Sequence, residues 1–297
     1  MTSNGMPIAK ILISDIIKFF LATSIILLGF LWKGEKVGET EETFYFQDYM
    51  SQQTFDEIEN NQEIHESAPD IENKCTQKDP LCEKIDPATS QETIPYTNQI
   101  HTVAYFINDN QMVDKKIIDT IQKIELKNNE WGKRGYATRD TIVLNIWIVN
   151  SLKEFQDLSS HELGHIFDLG VTQGTNTTKN KSFTEFNRPV FASNDPSLYF
   201  YKISRTSETI RKKETVKKDF CSWYGMTNPF EDFAECFNLY INHQNFFKII
   251  AKGNSLLTKK YNFIATLLQG ASLEKNTKDL ELLKESKSRR PWDTTKL

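Results

Sequence analysis

Glycine and proline are scarce in this chain of 297 residues, 12 and 9 in all, which excludes a collagen-like or proline-rich polymer. Arginine is missing before Arg134, and all seven arginines follow from there. Neither charge dominates: 36 Lys and Arg face 40 Asp and Glu, a net −4. Composition therefore gives no case for nucleic-acid binding. There is no internal repeat and no CxxC pair. The four cysteines, Cys75, Cys82, Cys221 and Cys236, form an even set that suits an oxidising compartment. A chain this long buries a core without disulfides to compensate for small size.

The small net charge conceals an uneven distribution. Residues 35–98 hold 16 Asp and Glu against four Lys, a balance of −12, and the remainder carries +8. Ahead of the acidic stretch runs Phe19–Trp32, FFLATSIILLGFLW, 14 apolar residues preceded by Lys10 and Lys18. That is the length of a signal-peptide core and short for a full membrane span. No small-residue cleavage site follows, so residues 1–34 read as an uncleaved anchor or a secretion signal, placing the chain outside the cytoplasm. Residues 35–98 read as an acidic flexible linker, too poor in aliphatics to offset the entropy of ordering. Within it, Cys75 and Cys82 are spaced to close a small loop. Phe44–Met50 is the one stretch that offers a short packed helix instead.

From residue 99 the pattern becomes globular. His101–Ile107 (HTVAYFI) and Thr141–Val149 read as strands, rich in β-branched and aromatic residues. Val113–Leu126 carries isoleucines at helical spacing. Ser151–Leu169 reads as a helix stopped by Gly170. Asn228-Pro229 opens another, with Asn as N-cap and Pro in the first turn, running to about His243. Helical pattern continues over 245–270, and residues 276–297 read as a charged, frayed tail. Thr141–Asn145 is placed as the sheet edge. Arg211–Lys218, the most cationic window, reads as a solvated helix face. His243 reads as a surface residue, and Cys221 and Cys236 either pair or stay as buried thiols.

One motif carries chemistry. His161-Glu162-Leu163-Gly164-His165 is an HExxH on a helix. Histidines four apart lie on one face, one turn from each other, so both imidazoles can meet one Zn²⁺. Glu162 can reach a water on that metal and accept its proton. A catalytic zinc site needs a third protein ligand. The metzincin extension is excluded, because Asp168 and Val171 stand where Gly and His are required. Glu231 and Glu235 share a helix face and are the best alternatives. Glu231 also occupies the position where a Glu commonly caps a helix after Asn228, and on the residues alone both readings stand.

The stretch Tyr224-Gly-Met-Thr-Asn-Pro-Phe-Glu231-Asp-Phe-Ala-Glu235-Cys-Phe resembles the family of zinc metallopeptidases that contains the anthrax lethal factor catalytic domain and the bacterial Pro-Pro endopeptidases. The resemblance covers about 99–270, and His165-Ile-Phe-Asp168 is similar to the family's continuation past its second His. It implies His161, His165 and Glu231 as zinc ligands, Glu162 as general base and Tyr224 as donor to the oxyanion. Glu235 is implied to orient a ligand His. His165 and Glu231 stand farther apart than the family pattern, so 172–220 reads as containing an inserted loop.

The expectation is an α+β, zincin-like domain over 99–275, with an active-site helix, a small sheet and C-terminal helices. It would be a monomeric zinc endopeptidase acting on a protein or peptide, with its N-terminal segment at a membrane and no nucleic-acid partner. The alternatives are a non-catalytic binding module on the same fold and a translocated toxin-type protease.

Overall fold

The computed structural model describes residues 74–75, 78–86, 92–185, 190–274 and 290–297. The expected anchor 1–34 and most of the 35–98 linker lie outside the described residues. Among the described residues no helix is long and apolar enough to cross a membrane. The fold is mixed α+β. Four strands, β1 (Ile85–Asp86), β2 (Lys123–Lys127), β3 (Gly135–Ala137) and β4 (Thr141–Asn145), form one sheet in the order β1-β2-β4-β3. β2 runs parallel to β1 and to β4, and β3 is antiparallel to β4. β4 is thus internal, with Ile142–Asn145 buried, and the expected edge role falls to β3.

Among the described residues seven α-helices accompany the sheet: α1 (Ile94–Asn110), α2 (Ile117–Thr120), α3 (Leu152–Ile166), α4 (Ser197–Ser204), α5 (Pro229–Asn242), α6 (Gln244–Ala251) and α7 (Ser255–Leu267). Between residues 99 and 126 the reading from the sequence changes twice. HTVAYFI lies in α1, not in a strand. Ile100, Val103, Ala104 and Ile107 are buried there, a helical i, i+3, i+4, i+7 stripe that outweighs β-branched composition. The isoleucine-rich stretch 113–126 divides: α2 ends at Thr120, and Ile124 and Leu126 face the core at a strand's period of two.

The compact unit runs from Asp70 to Leu297, wider than the expected 99–275. The boundary at 98/99 falls inside α1, and β1 belongs to the sheet. At the other end Arg290–Leu297 packs on the domain instead of fraying. Trp223 N–H donates to Pro291 C=O at 3.0 Å and Tyr224 N–H to Trp292 C=O at 2.8 Å. Both cysteine pairs form disulfides, Cys75–Cys82 and Cys221–Cys236, leaving no free thiol. His243 is buried, its Nε2 3.1 Å from Asp157 Oδ1. The stretch Arg211–Lys218 is turns and the start of a 3-10 turn at Lys217–Asp219, not a helix.

α3 and α5 cross at the centre of the unit. A Cβ added to Gly164 would stand 3.2 Å from Ala234 Cα and from the Phe237 ring. Glycine at the fourth position of HExxH therefore lets the two helices approach closely.

Candidate metal centre

Ser151 caps α3, its side chain accepting from Glu154 N–H at 3.1 Å. Every residue from Asp157 to Ile166 is buried, so this helix enters the core polar groups included. His161 and His165 project from it toward α5. There Asn228 Oδ1 accepts from the N–H groups of Phe230 (3.0 Å) and Glu231 (2.9 Å). Asn228 thus satisfies the helix terminus, and the Glu231 carboxylate turns to the histidines instead of capping.

Glu231 Oε2 lies 3.2 Å from His161 Nε2 and 3.3 Å from His165 Nε2. The donor atoms of all three residues lie within 4.8 Å of one another. Zinc bonds of about 2.0–2.1 Å at tetrahedral angles separate neighbouring donors by about 3.3–3.4 Å, so these two edges fit that geometry. Glu231 Oε2 is buried and makes no well-formed hydrogen bond among the described residues. Such an atom calls for a partner, and a His₂Glu donor set suits zinc with one position left open. The second cluster of this kind, Asp79, Cys82 and His101, has its thiol consumed by the disulfide.

The electrostatics follow from burial and this clustering of carboxylates with imidazoles. Burial works to raise the Glu231 carboxyl, yet the imidazoles of His161 and His165 beside it hold it well below the usual carboxylate range. Burial opposes a charged His161, and Glu231 and Glu235 on either side raise it nevertheless. Burial pushes Glu162 up, His161 and His165 opposing. Its Oε2 has no hydrogen-bond partner among the described residues. Glu235, fully buried, stands with Oε1 2.9 Å from His161 Nδ1. Burial and the nearby Asp293 raise its carboxyl. A carboxylate at the outer nitrogen of a ligand His fixes its tautomer and ring angle.

Tyr224 stacks its ring near that of His161, centroids 6.2 Å apart and planes at 27°. Burial, then the Glu231 carboxylate, keep its phenol protonated far above neutrality and so able to donate. The edge strand β3 forms the opposite wall. A cleft of about 580 Å³ opens between them, with Tyr136, His161, Glu162, Tyr224, Phe230 and Glu231 among its lining residues.

The six residues singled out in the sequence, His161, Glu162, His165, Tyr224, Glu231 and Glu235, therefore meet at one site. The structure adds Gly135, Arg134 and Asp293 to the cleft wall. Arg134 Nη1 donates to Asp293 Oδ2 at 3.0 Å, and its Nη2 pairs with Glu154. No motif marks these three: they reach the site by folding across 159 positions. Protein-family models, curated proteins and solved structures give no match to this chain.

Proposed function

We propose that this chain is a zinc-dependent endopeptidase with a zincin-like fold, resembling the lethal factor and Pro-Pro endopeptidase family. The observation that carries the reading is the approach of one Glu231 oxygen to both histidine Nε2 atoms, 3.2 and 3.3 Å, beside a buried Glu162. His161, His165 and Glu231 would hold the metal. Bound zinc supplies a Lewis acid for the scissile carbonyl and lowers the pKa of a water in the open position.

The remaining steps belong to the chain. Glu162 accepts the proton of the attacking water and delivers it to the departing amine. A carboxyl raised by burial is suited to both halves of that transfer, holding a proton more readily than an exposed one. Tyr224 donates its hydroxyl hydrogen to the oxyanion that develops on the carbonyl. Glu235 keeps His161 oriented. β3, an edge strand of the sheet, offers main-chain groups to an extended peptide.

The substrate is a protein or peptide outside the cytoplasm, met by a monomer with no nucleic-acid partner. Two disulfides support that compartment. The N-terminal segment then serves export or membrane attachment. The test is zinc content and cleavage of a diverse peptide library by the full chain, its His161→Ala variant and its Glu162→Ala variant. His161→Ala should lose zinc, and Glu162→Ala should keep zinc and stop cutting. Zinc content unchanged by His161→Ala would remove the site, and library cleavage independent of Glu162 would remove the mechanism. Zinc binding with no cleavage at all would favour the non-catalytic binding module.

A further inference from the structure

We propose that the segment Pro291–Thr295 is a positioning element of the site, acting on His161 through Glu235. This rests on the reading of His161 as a zinc ligand. Glu235 has two carboxylate oxygens with separate duties. Oε1 faces His161 Nδ1 at 2.9 Å. Oε2 accepts from the backbone N–H of Thr294 at 2.7 Å. Glu235 and Thr294 are both 0% exposed, so water does not stand in for a lost donor. Ser222 also favours the charged form of this carboxylate, opposing its burial. A charge-assisted bond from a fixed backbone donor is about twice as strong as a neutral one, and it sets the plane of the carboxylate.

The segment is itself held at several points. Thr294 Oγ1 accepts from Asn238 Nδ2 at 3.0 Å, and Arg134 donates to Asp293 (3.0 Å) and to Thr295 Oγ1 (2.8 Å). The Trp292 carbonyl accepts from Tyr224 N–H. One strand of chain therefore touches the partner of a ligand His, the backbone of Tyr224 and the residue leading into β3. All three sit on separate elements.

The local backbone permits a test of a single hydrogen. Asp293 is extended (φ −143°, ψ 128°) and Thr294 opens a 3-10 turn. Extended backbone is what a residue preceding proline prefers, and the first position of a turn tolerates proline. Thr294→Pro thus deletes the N–H that reaches Glu235. Thr294→Ala removes the hydroxyl and keeps the N–H, and is the reference.

The measurement is zinc affinity of the full chain by competition with a chromophoric chelator. Relative to Thr294→Ala, Thr294→Pro should bind zinc about 10–100-fold more weakly, the scale for loss of an outer partner of a ligand. It should also shift the downfield proton signal of His161 Nδ1–H, the hydrogen that faces Glu235. Should Thr294→Pro fail to fold, Asp293→Ala loosens the same segment from Arg134 at a half-buried position, and zinc affinity should fall several-fold from wild type. Equal affinity in the Pro and Ala variants, or wild-type affinity in Asp293→Ala where that is the variant used, overturns the proposal and leaves the zinc site standing. A wild-type chain that takes up no zinc overturns both.

Discussion

Gly135 on the edge strand lies directly against Glu162: a Cβ placed on Gly135 would come 2.5 Å from Glu162 Oε1. No other side chain fits there unless the carboxylate moves. Gly135→Ala should therefore displace the proposed base while leaving the three proposed metal ligands alone. Displacement by about 1 Å costs on the order of 10²-fold in rate. The expected outcome is normal zinc content with kcat/KM lowered by about that factor, read by metal analysis and peptide cleavage. Unaltered turnover would mean that Glu162 is not poised where the chemistry occurs.

Glu162→Gln keeps the shape and removes the base. General-base loss is worth about 10²–10⁴-fold, so cleavage should fall by at least that while zinc stays bound. A rate within tenfold of wild type would argue for another base.

Cys221–Cys236 closes a loop of 15 residues that contains Tyr224 and Glu231. A cross-link over a loop of that size contributes about 3 kcal/mol through the unfolded chain. Replacing both cysteines by alanine should lower the urea-unfolding free energy by about that amount. Both residues are 0% exposed, so the native protein should resist mild reductants. Rapid labelling of these two thiols under native conditions after mild reduction would contradict this.

Asp168 is 1% exposed, and burial pushes its carboxyl up to about 7, with Ser197 and Tyr201 hydrogen bonds opposing. Between its ordinary 3.8 and that value the folded chain holds a proton that the unfolded chain has shed. Asp168 thus makes stability fall as pH rises through this window and level off above it. Asp168→Asn, which stays neutral, should remove that slope and gain on the order of a few kcal/mol at pH 8 relative to pH 4. Urea titrations of both proteins in chelator at the two pH values read it. Parallel pH dependences would show that Asp168 carries no proton in the native chain.

Lys260 and Asp232 form a fully buried pair, Nζ standing 2.8 and 2.7 Å from the two carboxylate oxygens. Lys260→Met leaves a buried carboxylate without its ammonium partner, costing about 3–5 kcal/mol. Adding Asp232→Leu should recover most of it. A double variant no better than the single would show that the cost comes from packing.

What could be read from the sequence was what is local. Histidines one helical turn apart, and an Asn-Pro cap that starts α5 in the right phase for Glu231 and Glu235, are short-range periodicities. They place side chains on a face whatever the rest of the chain does. Which face meets which is decided by packing: Gly164 against Ala234 brings the two helices to contact distance, and glycine within HExxH has no meaning before that. His101–Ile107 misleads because Val103, Phe106 and Ile107 favour strands by composition, while the core asks for a stripe every three to four residues. Thr294 was invisible. Its contribution is a backbone N–H, which every residue except proline carries, delivered to Glu235 across 59 positions.

The Cys75–Cys82 bond has a mechanical consequence. Tension drawn along the chain from residues before 74 meets Cys75 at once, and the disulfide passes it to Cys82, so the loop between them is bypassed. Beyond Cys82 it reaches β1, whose register with β2 is parallel, Ile85 beside Ile124. Ladder bonds between strands pulled lengthwise share the force and must slide together, unlike those of a strand peeled from its end. Lys74 N–H, bonded to Asn98 Oδ1 at 2.9 Å, stands on the outer side of this covalent clasp. The proposed metal ligands all stand on the far side of that clasp in sequence, so a pull from the N-terminal side meets the clasp before it meets them.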